Sequence, residues 1–462
     1  MDRVRSLHRR LGIVILAMAF VTAACGDNGT PLGEGTTGGG VTTTGEDGTT
    51  TGGDATSVAP PAPEDVEGTL TMWRIAGEAD WWTGFIDRFH TAYPNASIDL
   101  TSYTTEEYWT KLVAAFSAGD PPDIHTNANG EDVWKYSRTG NLVAVNELVD
   151  LSAWSPASVG LFTASDGNAY AVPLYTFLIP VWYNKDLFEE NEVTVPTTWD
   201  ELLAACDTLS AAGVIPIALG NGGADQWTAQ FFLESLMYQY GGPSVHVDAT
   251  FGNNDAAWTD PELVDSARRV TELVDHDCFP NGFTGLSYDQ MTALFYSGKA
   301  AMVHQGNWIL PEVEKAGFAG DVFGFPDVPD GAHSTANLEG MLAGAEGVMV
   351  SSKAAKENPN LAKAFLYQLS QELDKYANEN GALSVAAEPH PEGGDLQLRF
   401  AELLQSVGEY MSATNSVVPS SIHAAFFQNL YDLTAGSLTP EEWGQAMQDA
   451  VEKERDNFPP PA

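Results

Sequence analysis

Thr69-Leu-Thr-Met-Trp-Arg-Ile75 opens the alternation that decides the fold. Rich in apolar and β-favouring residues, it reads as a strand. Trp82, Phe85, Ile86, Phe89 and Tyr93 follow at helical spacing and end at Pro94. Residues 97–103 read as a second strand with Ile98 and Leu100 on one face. Thr104-x-x-Glu107 is a capping box, in which each side chain satisfies a backbone donor that the first helical turn leaves open. It predicts a helix through Phe116 that stops at Gly119. Strand, helix, strand, helix in unbroken succession implies α/β layers with largely parallel pairing.

The pattern continues downstream. Further capping boxes stand at Thr198-x-x-Glu201, Ser287-x-x-Gln290 and Thr439-Pro440-Glu441-Glu442. Asp260-Pro261-Glu262 starts another helix with proline in its first turn. Strands are expected near 169–174, 215–219, 300–304, 322–325 and 347–350.

Upstream, the chemistry changes. Arg3, Arg5, Arg9 and Arg10 precede an apolar run at 11–21 that is short for a bilayer span, and Thr22-Ala23-Ala24 leads into Cys25. A basic stretch, a short apolar core and small residues describe a secretory signal over 1–24. The cysteine at the cut resembles the lipobox of bacterial lipoproteins, with Thr22 where that pattern has an aliphatic residue. The resemblance implies acylation of Cys25 and an anchor on the outer face of the cell membrane. Residues 25–63 are rich in Gly and Thr and nearly free of large apolar side chains. Such a segment buries too little to offset its ordering entropy and reads as a disordered tether.

About 400 residues remain, ample for two lobes with their own cores. The chain carries 63 Asp plus Glu against 21 Lys plus Arg. That excess argues against binding nucleic acid or anionic headgroups through charge, and it reads as solubility. With Cys25 acylated, Cys206 and Cys278 remain as an even pair in an oxidising compartment, either bridged or as two buried thiols.

Five segments carry a resemblance: Gly119-Asp-Pro-Pro-Asp-Ile124, Tyr183-Asn-Lys-Asp-Leu-Phe188, Pro196-Thr-Thr-Trp-Asp-Glu-Leu202, Phe295-Tyr-Ser-Gly-Lys-Ala-Ala-Met302 with Gly306-Asn-Trp308, and Gly347-Val-Met-Val-Ser-Ser-Lys353. In this order they resemble the family 1 extracellular solute-binding proteins of carbohydrate ABC importers, the group of maltose-binding protein. The resemblance implies a two-lobed clamp of the type II periplasmic-binding-protein kind, with doubly wound sheets joined by hinge crossings. It places lobe 1 at 64–176 plus 328–372 and lobe 2 at 177–327 plus 373–458. It further implies a carbohydrate ligand, the transmembrane permease subunits of an importer with a cytoplasmic ATPase, a monomeric receptor, and no cofactor.

Sugar binding needs aromatic faces for the C–H face of a pyranose and fixed polar groups for its hydroxyls. Carried over position by position, the resemblance offers Trp308 and Trp227 as stacking residues, Asp225 beside the latter, and Glu78 with Trp81 after the first strand. Asn127 and Glu131 follow the Pro-Pro-Asp segment, and Tyr175 and Trp182 stand at the first crossing. Asp123 reads as structural, and Trp73, Trp82, Trp134 and Trp199 read as packing residues. In register through Tyr183-Asn-Lys-Asp, Phe177 takes the place of a carboxylate that contacts sugar in maltose-binding relatives, which counts against maltose.

A secreted glycoside hydrolase would need two carboxyl groups about 5–10 Å apart across one bond, and Asp120 with Glu78 or Asp225 with Glu131 are the pairs available. No Gly-x-Ser-x-Gly elbow, His-Glu-x-x-His helix or phosphate-binding glycine loop occurs. The nine histidines lack ligand spacing, so no metal site is expected.

Overall fold

The computed structural model describes residues 59–75, 79–336, 340–392, 394–406 and 409–458. The signal segment, Cys25, Glu78 and most of the tether lie outside the described residues.

Among the described residues, ten strands form two sheets. The first holds β1 (Gly68–Ile75), β2 (Ala96–Tyr103), β3 (Ile124–Ala128), β4 (Val172–Leu178), β9 (Gly340–Val350) and β10 (Glu409–Met411). Its order is β10-β9-β3-β1-β2, with β4 also paired to β9. The second runs β6-β7-β5-β8, from β5 (Val181–Asn184), β6 (Ile215–Ala218), β7 (Ala300–His304) and β8 (Gly320–Phe323).

The opening alternation folds as read. β1 lies parallel to β2 from Gly68 opposite Ala96 to Ile75 opposite Tyr103. Leu70 and Met72 point from β1 into the core, under Trp82, Phe85 and Phe89 of the Ala79–Ala92 helix. Asp123 ties β3 to β1 by accepting from the backbone N–H of Thr71 at 2.8 Å and from its hydroxyl at 2.9 Å. All four capping boxes form, at Thr104, Thr198, Ser287 and Thr439.

Pairing is less parallel than expected. β9 runs antiparallel to both β3 and β4, and β5 runs antiparallel to both β7 and β8. β4 and β9 are long enough to leave one core and enter the other. Val172 and Leu174 pack in the first core, while Leu178 packs in the second lobe. Val348 and Val350 belong to the first core and Leu342 to the second. Phe325 and Val328 pack with the second core, and Leu373 and Tyr376 with the first. By core membership the chain passes between the cores a second time inside β9 and a third time beyond the Leu373–Asn380 helix.

Cys206 and Cys278 form a disulfide with Cα atoms 5.1 Å apart. It ties the Trp199–Ala211 helix to the loop whose carbonyl at Cys278 accepts from Ile217 of β6 at 2.9 Å.

Candidate functional site

Between the two cores lies a cavity of about 880 Å³. Its second-lobe wall is aromatic. Trp308 sits on a short helical turn, Asn307–Ile309, just past β7. The tripeptide Gly306-Asn-Trp308 has a mechanical reading. A Cβ on residue 306 would come within 2.1 Å of the Trp308 ring, so glycine lets the indole fold back over the backbone. The Asn307 side-chain oxygen accepts from the Leu178 N–H at 2.9 Å, fixing the turn to the crossing strand β4. The Trp308 Nε1 donates to the Tyr288 hydroxyl at 3.1 Å, and ring centroids lie 6.2 Å from Trp227 and 5.3 Å from Phe177. Trp227 begins the Trp227–Gly241 helix and lies 5.1 Å from Tyr288. Asp225 holds this pair from behind. One carboxylate oxygen accepts from the Trp227 Nε1 at 3.3 Å and the other from the Tyr288 N–H at 2.9 Å. Burial pushes the Tyr288 hydroxyl far above its ordinary titration range, so it stays protonated.

The first-lobe wall carries Trp81, Tyr175 and the half-buried Trp109. Trp81 packs edge-on against Trp82 and Tyr376 and lies stacked on Phe85. The Tyr175 hydroxyl donates to Glu346 at 3.3 Å. Both rings are therefore set by their packing before any ligand arrives.

Polar groups converge lower down. Asp132, in the short Glu131–Ser137 helix, pairs with Lys135 at 2.6 Å and accepts from Asn415 at 3.0 Å. Burial would raise the Asp132 pKa, but Lys135 and these hydrogen bonds outweigh it and hold the carboxyl below its usual range. Burial likewise works to lower Lys135, and Asp132 overcomes it and keeps the amine charged. Burial pushes the His423 ring down to about 4, so it faces the cavity neutral. No group of three or more possible metal ligands occurs among the described residues.

The expected residues divide cleanly. Trp308, Trp227, Trp81 and Tyr175 line one cavity. Asp225 stands behind the aromatic pair. Asn127 is buried in β3, where its side chain accepts from Ala128 N–H and donates to the Asp132 carbonyl. Glu131 pairs with Arg138 and does not line the cavity. Trp182 is wholly buried, stacked on Phe400 and donating to the Gln305 carbonyl at 2.8 Å. The acid pair Asp225 and Glu131 thus does not face a common bond. Phe177, read as a departure, lines the cavity as part of its aromatic wall. Unforeseen were Phe231, Tyr288, Gln230, Asp132, Asn415 and His423, all of which line it. Tyr288 follows the Ser287 capping box, and Gln230 follows Trp227 by three positions on one helix, signals available in the sequence.

Comparisons with known proteins agree with this architecture. Over 396 residues the chain is 22% identical to an uncharacterized ABC transporter extracellular-binding protein of Pyrococcus horikoshii, covering 82% of this chain and 85% of that one. Over 211 residues it is 28% identical to a probable sugar-binding periplasmic protein of Mesorhizobium japonicum, covering 45% of this chain and 49% of that one. A solved chitin oligosaccharide binding protein superposes with a TM-score of 0.75 at 25% identity, covering 84% of this chain and 98% of that one. The model of the bacterial extracellular solute-binding protein family matches residues 75–377, a span that takes in β2 to β9, and with them both crossing strands and the aromatic wall. That match meets the expectation raised by the five sequence segments: the chain belongs to the bacterial extracellular solute-binding proteins, a family that binds solutes rather than transforming them.

Proposed function

We propose that this protein is the solute receptor of an ABC importer and that it captures a sugar or oligosaccharide in the cavity between its lobes. The observation that carries this reading is the aromatic wall of Trp227, Tyr288 and Trp308 facing Trp81 and Tyr175, with amide and carboxylate groups in the same cavity. Flat apolar faces suit the C–H face of a pyranose, and a few fixed polar groups suit its hydroxyls. The relatives described as sugar-binding and chitin oligosaccharide binding support the same ligand class. The volume, about 880 Å³, suits a chain of a few rings.

Ligand touching both lobes stabilises the closed clamp over the open one by its difference in affinity for the two. The closed monomer then delivers its cargo to the importer's permease subunits, which a cytoplasmic ATPase drives. Acylation of Cys25 anchors the receptor to the outer face of the membrane, and residues 25–63 tether it there.

Thermal unfolding of the full chain in detergent, screened against sugars, amino acids, peptides and metal ions, tests the reading. A sugar at about 100 times its dissociation constant adds roughly 2.7 kcal/mol and raises the midpoint, with no turnover of the glycan. A shift with another solute class and none with sugars would overturn the carbohydrate assignment. In the expressing cell, Cys25→Ser releases the protein from the membrane fraction; unchanged sedimentation with membranes would count against the anchor.

A further inference from the structure

Beneath the aromatic walls, the cavity floor carries buried polar atoms that lack partners among the described residues. Gln230 lies one helical turn past Trp227, is 3% exposed and lines the cavity, and its Oε1 has no hydrogen-bond partner. Asn415 donates its Nδ2 to Asp132 at 3.0 Å. A carboxylate only accepts, so this bond fixes the orientation of the amide, and the remaining atom, Oδ1, is an acceptor. That atom too is buried and unpartnered, as is Nε2 of His423. A buried polar atom left unpaired costs about 1–3 kcal/mol, and these three lie in the walls of one cavity.

The floor is held from both lobes. The Thr414 N–H donates to Glu234 of the Trp227–Gly241 helix at 2.6 Å. The Ser416 carbonyl lies against Gly130, where a Cβ would come within 1.9 Å of it. With φ at +89°, residue 130 also adopts a backbone that favours glycine. Asn415, between these two anchors, is therefore fixed in place before ligand binds. The charges beside it cancel, since Asp132 and Lys135 are paired with each other at 2.6 Å.

We propose that Gln230, Asn415 and the Nε2 of His423 form an inner subsite that reads adjacent hydroxyls of a neutral sugar ring and rejects a uronate ring at that position. This rests on the sugar-binding reading above. Ring hydroxyls, which both donate and accept, donate to the Asn415 oxygen, pair with the Gln230 amide in either orientation and satisfy the imidazole nitrogen in whichever role its tautomer leaves open. A ring carboxylate would instead face the Asn415 carbonyl oxygen, while the Lys135 ammonium is already engaged by Asp132. It would give up its hydration for repulsion.

Titration calorimetry on the full chain in detergent, with cellobiose, xylobiose, maltose, chitobiose and digalacturonate as probes, tests this. At least one neutral disaccharide binds the native protein, and digalacturonate binds at least about tenfold more weakly. Gln230→Leu, Asn415→Leu and His423→Phe each weaken the neutral sugar by about tenfold or more. Native-like affinity in folded variants, or a uronate bound as tightly as its neutral counterpart, would overturn the subsite and leave the sugar reading standing. Binding of none of the neutral probes by the native protein would instead count against the sugar reading itself. Should a variant not fold, deoxygenated derivatives of the bound disaccharide, titrated into the native protein, report on the same contacts. If none loses about tenfold, the subsite is wrong.

Discussion

At the scale of single residues, the site depends on small groups that place large ones. Gly306 makes room for the Trp308 indole, Asn307 ties its turn to β4, and Asp225 holds Trp227 and Tyr288. Trp308→Ala removes one stacking face and weakens sugar binding by more than about tenfold while the fold survives. Gly306→Ala is the sharper test, since it leaves the indole present and forces it to move. Its expected result in calorimetry is a loss of about tenfold, with an unfolding midpoint close to that of the native protein. Native affinity in Gly306→Ala would mean that the pose of Trp308 is not part of binding. The aromatic lining of the cavity was legible in the sequence because a tryptophan near a glycine, just past a strand, stands where a strand end opens on a cleft. The polar half was not. Asp225, Asn127 and Glu131 sit at the right turns, but their lone pairs are spent on Trp227, Ala128 and Arg138. Sequence reports that a carboxylate stands at a turn. It does not report whether its oxygens are already occupied.

At the scale of elements, local rules carried far. Every capping box written in the sequence closes, because Thr or Ser three residues before Glu or Gln satisfies the helix start whatever lies around it. Strand direction was harder. β9 is written as an ordinary apolar run, yet it pairs antiparallel with β3 and β4, and this follows from its length and its passage between lobes. The Leu373–Asn380 helix likewise buries Leu373 and Tyr376 against the first core, a tertiary preference that spacing alone does not carry. The disulfide between Cys206 and Cys278 acts at this scale as well. It closes a loop of 72 residues and buries both sulfurs between a helix and the end of the second sheet. Chain entropy for such a loop amounts to about 4 kcal/mol. Replacing both cysteines by alanine, or reducing the bridge, should therefore lower the unfolding midpoint by several degrees. Sugar affinity should persist at temperatures where the variant stays folded, because the bridge does not line the cavity. An unchanged midpoint under reductant would show that the bridge adds nothing to stability.

At the scale of the whole molecule, buried titratable groups set how stability follows pH. His125, His246 and His304 are buried, and burial pushes them down to about 3, about 4 and about 4. Their unfolded value is 6.5, so between pH 6.5 and 4 the unfolded chain binds more protons than the folded one. Stability from these three is fully present above pH 6.5 and is lost as pH falls toward their folded values. Glu234 acts in the opposite sense. Burial raises its carboxyl from 4.5 to about 7, so its folded form holds a proton that the unfolded chain has released. Its contribution is present below pH 4.5 and is lost as pH rises through about 7. With His423, which burial also pushes down to about 4, four groups oppose one, each worth up to about 1.4 kcal/mol per pH unit. Stability should therefore fall on acidification from pH 6.5 to 5.5, before most of the carboxylates that give the chain its charge begin to protonate. At pH 6.5 the unfolded histidines are still half protonated, so together they outweigh Glu234 and stability goes on rising, ever more gently, toward about pH 7.5. The unfolding midpoint is accordingly expected to climb from pH 5.5 and to level off near about pH 7.5. Glu234→Gln isolates the carboxyl, because it keeps an oxygen that can accept from Thr414 and removes the ionisation. In that variant the climb between pH 5.5 and 7 should steepen, because the opposing slope of Glu234 is gone. Thermal unfolding at half-unit steps from pH 5.5 to 8, at constant ionic strength, decides it. A native curve that is flat below pH 6.5 removes the histidine argument, and an unaltered slope in the Gln variant removes the assignment to Glu234.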